Sequence, residues 1–196
     1  DVDGVVSTFN SSSADLVLPA GTNTIKFARL YWGGRIDDDN SNYANRGTVS
    51  IRKAAGAYAT VNAGVQIDQT LLTGDQYAYQ AYQDVTAFVN TNGAGSYTVA
   101  NVATTTGSVG GGGNYGGWAL VVVYENLTLP YSSVRVYDGF VRVENNATQA
   151  IQLTGLNAPG TPVLASDAYM STMAWEGDGN LAATAQNPAG DYIKVN

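Results

Sequence analysis

The chain alternates short apolar runs with clusters of turn-forming residues, and this pattern predicts a succession of β-strands. Val, Ile, Thr and Tyr dominate the runs, while Gly, Pro, Asn and Asp separate them. The predicted strands cover residues 16–18, 24–32, 48–53, 58–62, 96–104, 118–124, 133–144, 150–156, 170–176 and 191–195. Strands at this spacing are typical of a sandwich or jelly roll. We therefore predict an all-β fold, an antiparallel, jelly-roll-like β-sandwich that forms a single domain over residues 1–196.

The most apolar run is WALVVVY at residues 118–124, which follows the glycine-rich stretch TTGSVGGGGNYGG at residues 105–117. An unbroken apolar run of this length predicts a strand that is buried on both faces, at the centre of a sheet. We expect Leu120, Val121, Val122 and Val123 to be buried. The glycine-rich stretch lacks the Gly-Lys-Ser/Thr signature of a phosphate-binding loop, and it indicates a flexible or closely packed backbone.

One segment has helical periodicity instead. Its apolar face consists of Ala81, Val85, Phe88 and Val89. Asp84 is placed to cap the N-terminus of this helix, and Asn92-Gly93 is placed to end it. The sequence thus predicts one short helix near residues 84–89.

Composition and charge narrow the classes of partner. The chain has 196 residues, enough for one domain with a substantial core. Its 16 acidic residues outnumber its nine basic ones, which gives a net charge of −7. The basic residues are scattered, whereas binding to nucleic acid or to an anionic membrane requires a clustered basic surface. No segment approaches the roughly 20 apolar residues that span a bilayer. We therefore predict neither nucleic-acid binding nor membrane insertion.

The chain contains no Cys and no His, which restricts its chemistry. Disulfides, thiol nucleophiles, imidazole catalysis and most transition-metal sites are excluded. A glycoside hydrolase would need two carboxylates that face one cleft. The acids near predicted strand ends are Glu125, Asp138, Glu144 and Glu176, and no spacing pairs any two of them. We predict that the protein is not an enzyme.

Two Asp-rich loops are candidate calcium sites. Asp37, Asp38 and Asp39 precede Asn-Ser-Asn, and such carboxylate and amide oxygens are the ligands that Ca²⁺ prefers. The loop lacks the Gly and the distal Glu of an EF-hand, so a solvated polar loop is the alternative. Asp178, within Glu-Gly-Asp-Gly-Asn, is the second candidate, with ordinary turn chemistry as its alternative.

Other polar and aromatic positions point to carbohydrate. Tyr77, Tyr79 and Tyr82 form the densest aromatic group, and Tyr77 and Tyr79 share one face if the chain is extended there. An exposed pair could stack on a sugar ring, whereas the alternative places these rings at the edge of the core. Three Asn-x-Ser/Thr sequences make Asn10, Asn126 and Asn146 candidate glycosylation sites.

Five motifs occur in order along the chain: ARLYWGG at residues 28–34, YQDVT at 82–86, GSYTVANV at 95–102, GGWALVVVYE at 116–125 and YDGF at 137–140. In these motifs, residues 16–194 resemble an uncharacterised N-terminal β-domain of very large bacterial surface proteins, sometimes called adhesins. That family has no agreed catalytic residues, so the resemblance assigns none here. The resemblance implies an exported domain, extracellular or attached to the cell surface.

The predicted function is that of a non-catalytic, adhesin-like β-module that mediates adhesion or binds a glycan or protein ligand. The alternative is a structural subunit of an extracellular filament or coat, which self-associates by β-strand addition. In that alternative the terminal segments, residues 1–9 and 191–196, are the candidate strand donors or acceptors, because termini can leave a domain without breaking its core.

Overall fold

The computed structural model of the chain describes residues 1–70, 76–107, 114–143, 148–156 and 168–175. The chain divides into two compact units, Asp1–Val134 and Arg135–Asn196, and each is described by itself. The single domain that the sequence predicts over residues 1–196 stays a prediction.

The first unit is a β-sandwich of two four-stranded antiparallel sheets. One sheet has the strand order β1-β7-β3-β4 and the other β5-β6-β2-β8. The elements are β1 Ser11–Leu16, β2 Thr24–Asp37, β3 Thr48–Lys53, β4 Ala59–Asn62, β5 Val65–Thr70, β6 Gln76–Asp84, the helix α1 Thr86–Asn92, β7 Gly95–Ala100 and β8 Gly116–Glu125. A single 3₁₀ turn, Tyr43–Asn45, lies between β2 and β3. The prediction of an all-β, antiparallel sandwich with one short helix is confirmed.

Strand β2 is one of the two interior strands of its sheet, hydrogen-bonded to β6 on one side and to β8 on the other. Alternate side chains along a strand point to opposite faces. On the inner face, Leu30, Trp32 and Ile36 are completely buried. They contact a core to which the facing sheet contributes Ile51 and Val99, among others. The side chain of Trp32 keeps its one donor satisfied, because Nε1 donates to the carbonyl of Arg46 at 2.9 Å.

Two glycines allow β2 to continue past Trp32, where the sequence predicts that it ends. Gly33 and Gly34 lie directly opposite Gly117 and Gly116 of β8. A Cβ at Gly34 would lie 2.8 Å from the carbonyl oxygen of Tyr115. The glycines therefore permit a close backbone approach that a side chain would prevent, and β2 extends to Asp37.

A chain segment that follows β7 crosses this glycine contact. Thr105 N donates to the carbonyl of Arg35 at 3.0 Å, and Arg35 N donates to the carbonyl of Tyr115 at 3.0 Å. A Cβ at Gly116 would lie 2.5 Å from Cγ2 of Thr104. The backbones of β2, β8 and the crossing segment are thus locked together at one end of the sheet.

The position predicted for the apolar run at residues 118–124 is wrong. The run lies in β8, which is an edge strand within the described part of the chain and pairs with β2 alone. Leu120, Val121, Val122 and Val123 are half-buried, not buried. A continuous apolar run shows that neither face of a strand is strongly polar, but it does not determine how many strands flank it. The interior positions of this sheet belong to β2 and β6 instead.

Several strand boundaries also differ from the prediction. The strand predicted at residues 16–18 is wrong, because β1 is the polar stretch Ser11–Leu16, whose Ser13 hydroxyl hydrogen-bonds that of Thr98 at 2.8 Å. Strand β7 ends at Ala100, before Asn101 adopts a positive φ of 65°. Residues 48–53 form β3 as predicted, and residues 58–62 contain β4. Strands β5 and β6 are not among the predicted strands.

The helix starts later than predicted because β6 continues through Asp84. The prediction that Asp84 caps the helix is wrong, because the N-cap residue is Val85 and makes no side-chain capping bond. Asp84 lies one residue earlier, and its Oδ1 accepts a hydrogen bond from Thr86 N at 2.9 Å. This bond and the hydroxyl of Thr86 lower the pKa of Asp84. Gly93, with a φ of 63°, ends the helix at the predicted place. Ala81, assigned to the helical face, lies in β6 instead.

In the second unit, the described residues contain no β-strand. Three strand predictions are therefore wrong over their described residues, 133–143, 150–156 and 170–175, none of which forms a strand; the first of these ranges begins in the first unit. Val136, Val141 and Val143 alternate with polar residues but remain 38%, 46% and 57% exposed. Alternation specifies a strand where one face becomes buried, and that burial is missing here. The strand predicted at residues 191–195 lies outside the described residues.

Replacement of Gly34 by Ala tests the glycine contact. The added Cβ would lie 2.8 Å from a backbone oxygen, so we expect a loss of about 1–3 kcal/mol in the free energy of unfolding. Urea denaturation measures this loss. Gly139→Ala is the matched control, because its Cβ would meet nothing within 4 Å. Equal stability of the two variants would contradict the close contact.

Candidate functional site

The outer edge of β8 is the most distinctive surface of the first unit. The strand carries one charged residue, Glu125, whose carboxylate lies 3.1 Å from Nζ of Lys26. Edge strands are usually protected against pairing by lysines, prolines, bulges or short length. Strand β8 contains no lysine and no proline and is ten residues long. Among the described strands, β2 alone pairs with it.

Both faces of β8 are apolar. The register with β2 directs Trp118, Leu120 and Val122 toward the core, against which they pack while staying half-buried. Val121 and Val123 point to the opposite face. Trp118 Nε1 also donates to Oγ of Ser12 in β1 at 2.7 Å, which ties β8 to the other sheet.

The other three sheet edges are different. Strand β1 carries three serines and Asp15, and β4 has only four residues. Strand β5 holds Asp68, which binds Arg46 through two bonds, Nε to Oδ1 at 3.0 Å and Nη2 to Oδ2 at 3.2 Å. This bond to Asp68 raises the pKa of Arg46, against the lowering effect of burial. Each of these strands is shorter than β8, with 6, 4 and 6 residues in β1, β4 and β5 against 10, and short length protects an edge, which leaves β8 as the candidate for strand addition.

Asp37, Asp38 and Asp39 follow one another at the end of β2. Asp37 is half-buried and its backbone N donates to Oγ1 of Thr105 at 2.9 Å, whereas Asp38 and Asp39 are exposed. Oδ1 of Asp37 is buried without a hydrogen-bond partner. Across the described ranges, no three Asp, Glu, His or Cys side chains come together in a group that could hold a metal ion. Asp178 lies outside the described residues. Calcium binding stays a prediction.

Two of the three candidate glycosylation sites are engaged in the fold. Asn10 donates through Nδ2 to the carbonyl of Val102 at 2.7 Å and accepts from Val102 N at 2.9 Å. Asn126 is 7% exposed, and its Nδ2 donates to the carbonyl of Ala20 at 2.9 Å. These bonds join segments that are distant along the chain, and N-glycosylation would replace one hydrogen of an Nδ2 group that already donates. Asn146 lies outside the described residues, and glycosylation stays a prediction.

The tyrosine group lies in β6. Tyr79 is completely buried, its hydroxyl donates to the carbonyl of Ala103 at 2.8 Å, and burial raises its pKa. Tyr77 packs against Tyr43 with ring centroids 5.4 Å apart, and Tyr82 packs against Tyr31 at 5.5 Å. For Tyr79 the core alternative is therefore correct, and the other two rings stack on protein.

Two of the four candidate catalytic acids have described positions. Glu125 pairs with Lys26, and Asp138 lies in the second unit. Glu144 and Glu176 lie outside the described residues. The prediction that the protein is not an enzyme stays a prediction.

A cluster around Asp3, which the sequence does not predict, holds the N-terminal segment. The hydroxyl of Tyr58 and the backbone N of Val5 donate to the carboxylate of Asp3, and so does the hydroxyl of Thr8. Burial raises the pKa of Asp3, but these hydrogen bonds outweigh that effect and lower it to about 2. Burial and the bond to Asp3 raise the pKa of Tyr58 to about 12. Single Asp and Tyr residues 55 positions apart carry no sequence signal of this pairing.

Comparisons with protein-family models, curated proteins and solved structures find no match to this chain. The resemblance to a domain of bacterial surface proteins therefore stays a prediction. Among the residues with described positions, no helix has the length and apolar character needed to cross a membrane.

The Asp3 cluster makes stability depend on pH. Because folding lowers the pKa of Asp3 from 3.8 to about 2, the ionised carboxylate stabilises the fold above about pH 4, and this contribution disappears as the pH falls toward 2. We expect Asp3→Asn to melt at a lower temperature than the unmodified chain at pH 7, with the difference shrinking between pH 4 and pH 2. Asp15→Asn controls for the change in net charge. Identical melting of Asp3→Asn and the unmodified chain at pH 7 would contradict this role.

Calcium binding is tested by thermal melts. If Asp37, Asp38 and Asp39 bind the ion, calcium should raise the melting temperature relative to a chelator, because an ion that binds only the folded state stabilises it, by about 2.7 kcal/mol at a hundredfold excess over Kd. The double variant Asp38→Asn/Asp39→Asn should lose the difference, whereas Asp15→Asn should keep it. Equal melting temperatures with calcium and with chelator would contradict calcium binding and favour the alternative, a solvated polar loop.

Proposed function

We propose that this chain is a non-catalytic, extracellular module of an adhesin-like surface protein, and that it binds a protein ligand by strand addition to β8. The observation that carries the proposal is the apolar strand β8, whose outer edge pairs with no described strand. In this mode of recognition, backbone hydrogen bonds provide affinity and alternate side chains provide selectivity.

The side chains of β8 suit such a ligand. Trp118, Leu120 and Val122 are half-buried, so a strand laid beside them would remove further apolar surface from water. Both faces of the edge offer contacts, since Val121 and Val123 lie on the other side. A protein ligand is favoured over a glycan because the tyrosines considered for sugar stacking pack against other side chains.

The alternative function is a structural subunit of an extracellular filament or coat. The same β8 edge supports it, with a neighbouring chain as the strand donor. Residues 1–9, a candidate donor, are bound to the sandwich through Asp3, which accepts from the Tyr58 hydroxyl, and through Ser11 Oγ, which accepts from Val2 N at 2.9 Å. Donation by this segment would first require release of those bonds. Electron microscopy of the purified chain distinguishes this alternative, because a filament subunit forms ordered fibres.

Strand addition can be tested with a peptide of alternating threonine and valine, equal in length to β8. Titration into ¹⁵N-labelled protein should shift the amide resonances of Gly116–Glu125 and slow their hydrogen exchange. The same peptide, N-methylated at every residue, is the control, because neither of its edges can donate a ladder bond. Shifts confined to β1, β4 or β5, or equal binding of both peptides, would overturn the proposal.

A further inference from the structure

We infer that β8 pairs with β8 of a second copy of this chain, antiparallel and about a two-fold axis. This inference rests on the proposed function, since it names the strand that is added at the β8 edge. A two-fold interface uses the same surface on both partners, so the strand must be complementary to itself.

The register follows from which side chains share a face. Directly opposed residues of an antiparallel pair lie on the same face, so a continuous sandwich requires odd-numbered residues of β8 to face odd-numbered ones. The two-fold axis then lies midway between the two copies of one residue, which face each other. Placing it at Val121 sets Leu120 opposite Val122 on the core side and Ala119 opposite Val123 on the outer side.

The residues at the ends of the ladder select this register. Trp118 of one copy then faces Tyr124 of the other, an aromatic cross-strand pair of a kind that stabilises sheets. Gly116, against which the side chain of Thr104 is packed, falls outside the ladder. With the axis at Leu120, Tyr124 would instead lie opposite this crowded Gly116.

Charge also permits the pairing, although each chain has a net charge of −7. Glu125, the one charged residue of β8, lies opposite Gly117 and stays near Lys26 of its own chain. The two Glu125 residues stand at opposite ends of the ladder, about 27 Å apart at 3.4 Å per residue. This exceeds the roughly 10 Å screening length at 0.1 M salt, so their repulsion is small.

Disulfide trapping tests the axis, because the chain has no other cysteine. In Val121→Cys the two thiols would face each other across Cα atoms about 4.5–5.5 Å apart, within the range that a disulfide spans. Mild oxidation should give a covalent dimer on a non-reducing gel. The matched control is Val65→Cys on β5, at the opposite edge of the same sheet and on the same face, which should stay monomeric. Equal cross-linking of both variants, or none at Val121→Cys, overturns the inference.

Charge exchange at the axis provides a second test. Val121→Lys places two lysines opposite each other, and Val121→Glu two glutamates. Each should raise the dimer Kd, measured by light scattering, at least about tenfold. Mixing the two variants should restore dimers, because unlike charges then meet at the axis. Dimers that both variants retain, or a mixture that stays monomeric, would overturn the register.

These experiments separate failure of the inference from failure of the proposed function. If the unmodified chain stays monomeric at millimolar concentration yet the threonine–valine peptide binds at β8, the second copy is ruled out as the ligand and strand addition stands. If the peptide also fails to bind, the proposed function fails with it. Ordered fibres in place of dimers would overturn the closed two-fold pair and favour the filament alternative.

Discussion

The close backbone contact between β2 and β8, at Gly34 and Gly116, is the constraint on which the arrangement of the second sheet depends. The missing side chains let the carbonyl of Tyr115 accept a bond from Arg35 N and let Thr104 pack directly on Gly116. Strand β2 can therefore run the full length of the sheet as one of its two interior strands. The inner face of β2 then supplies the largest buried side chain, Trp32.

The same contact places the most apolar strand of the sandwich at an edge. The position of β8 is fixed at one end by the glycines and along its length by the ladder with β2. The bond from Trp118 to Ser12 secures it to the facing sheet. Its outer backbone nevertheless faces no described strand. The other three edge strands are shorter, and this difference is the physical basis for the binding role proposed at β8.

Polar side chains fasten the segments that precede, connect and follow the strands of the two sheets. Asn10 joins the start of β1 to Val102, Asn126 joins the end of β8 to Ala20, and Asp3 joins the N-terminal segment to Tyr58. Each satisfies backbone or hydroxyl groups that would otherwise lose hydrogen bonds on burial. The sequence indicates only glycosylation sites at Asn10 and Asn126 and no role for Asp3, because their hydrogen-bond partners are distant along the chain.

The sequence by itself determined the class of fold and the positions of several strand and helix ends. Apolar runs between turn residues specified β3 and β4, and Gly93 specified the end of the helix, because these features depend on neighbours along the chain. Only the tertiary structure decided that β2 is an interior strand and β8 an edge strand of the described sheet, since strand order depends on contacts between residues far apart in sequence. It also decided that the polar segment β1 forms a strand by pairing with β7, while the alternating valines near residue 140 form no strand. Strand pairing and burial are properties of the assembled sandwich, and no single segment encodes them.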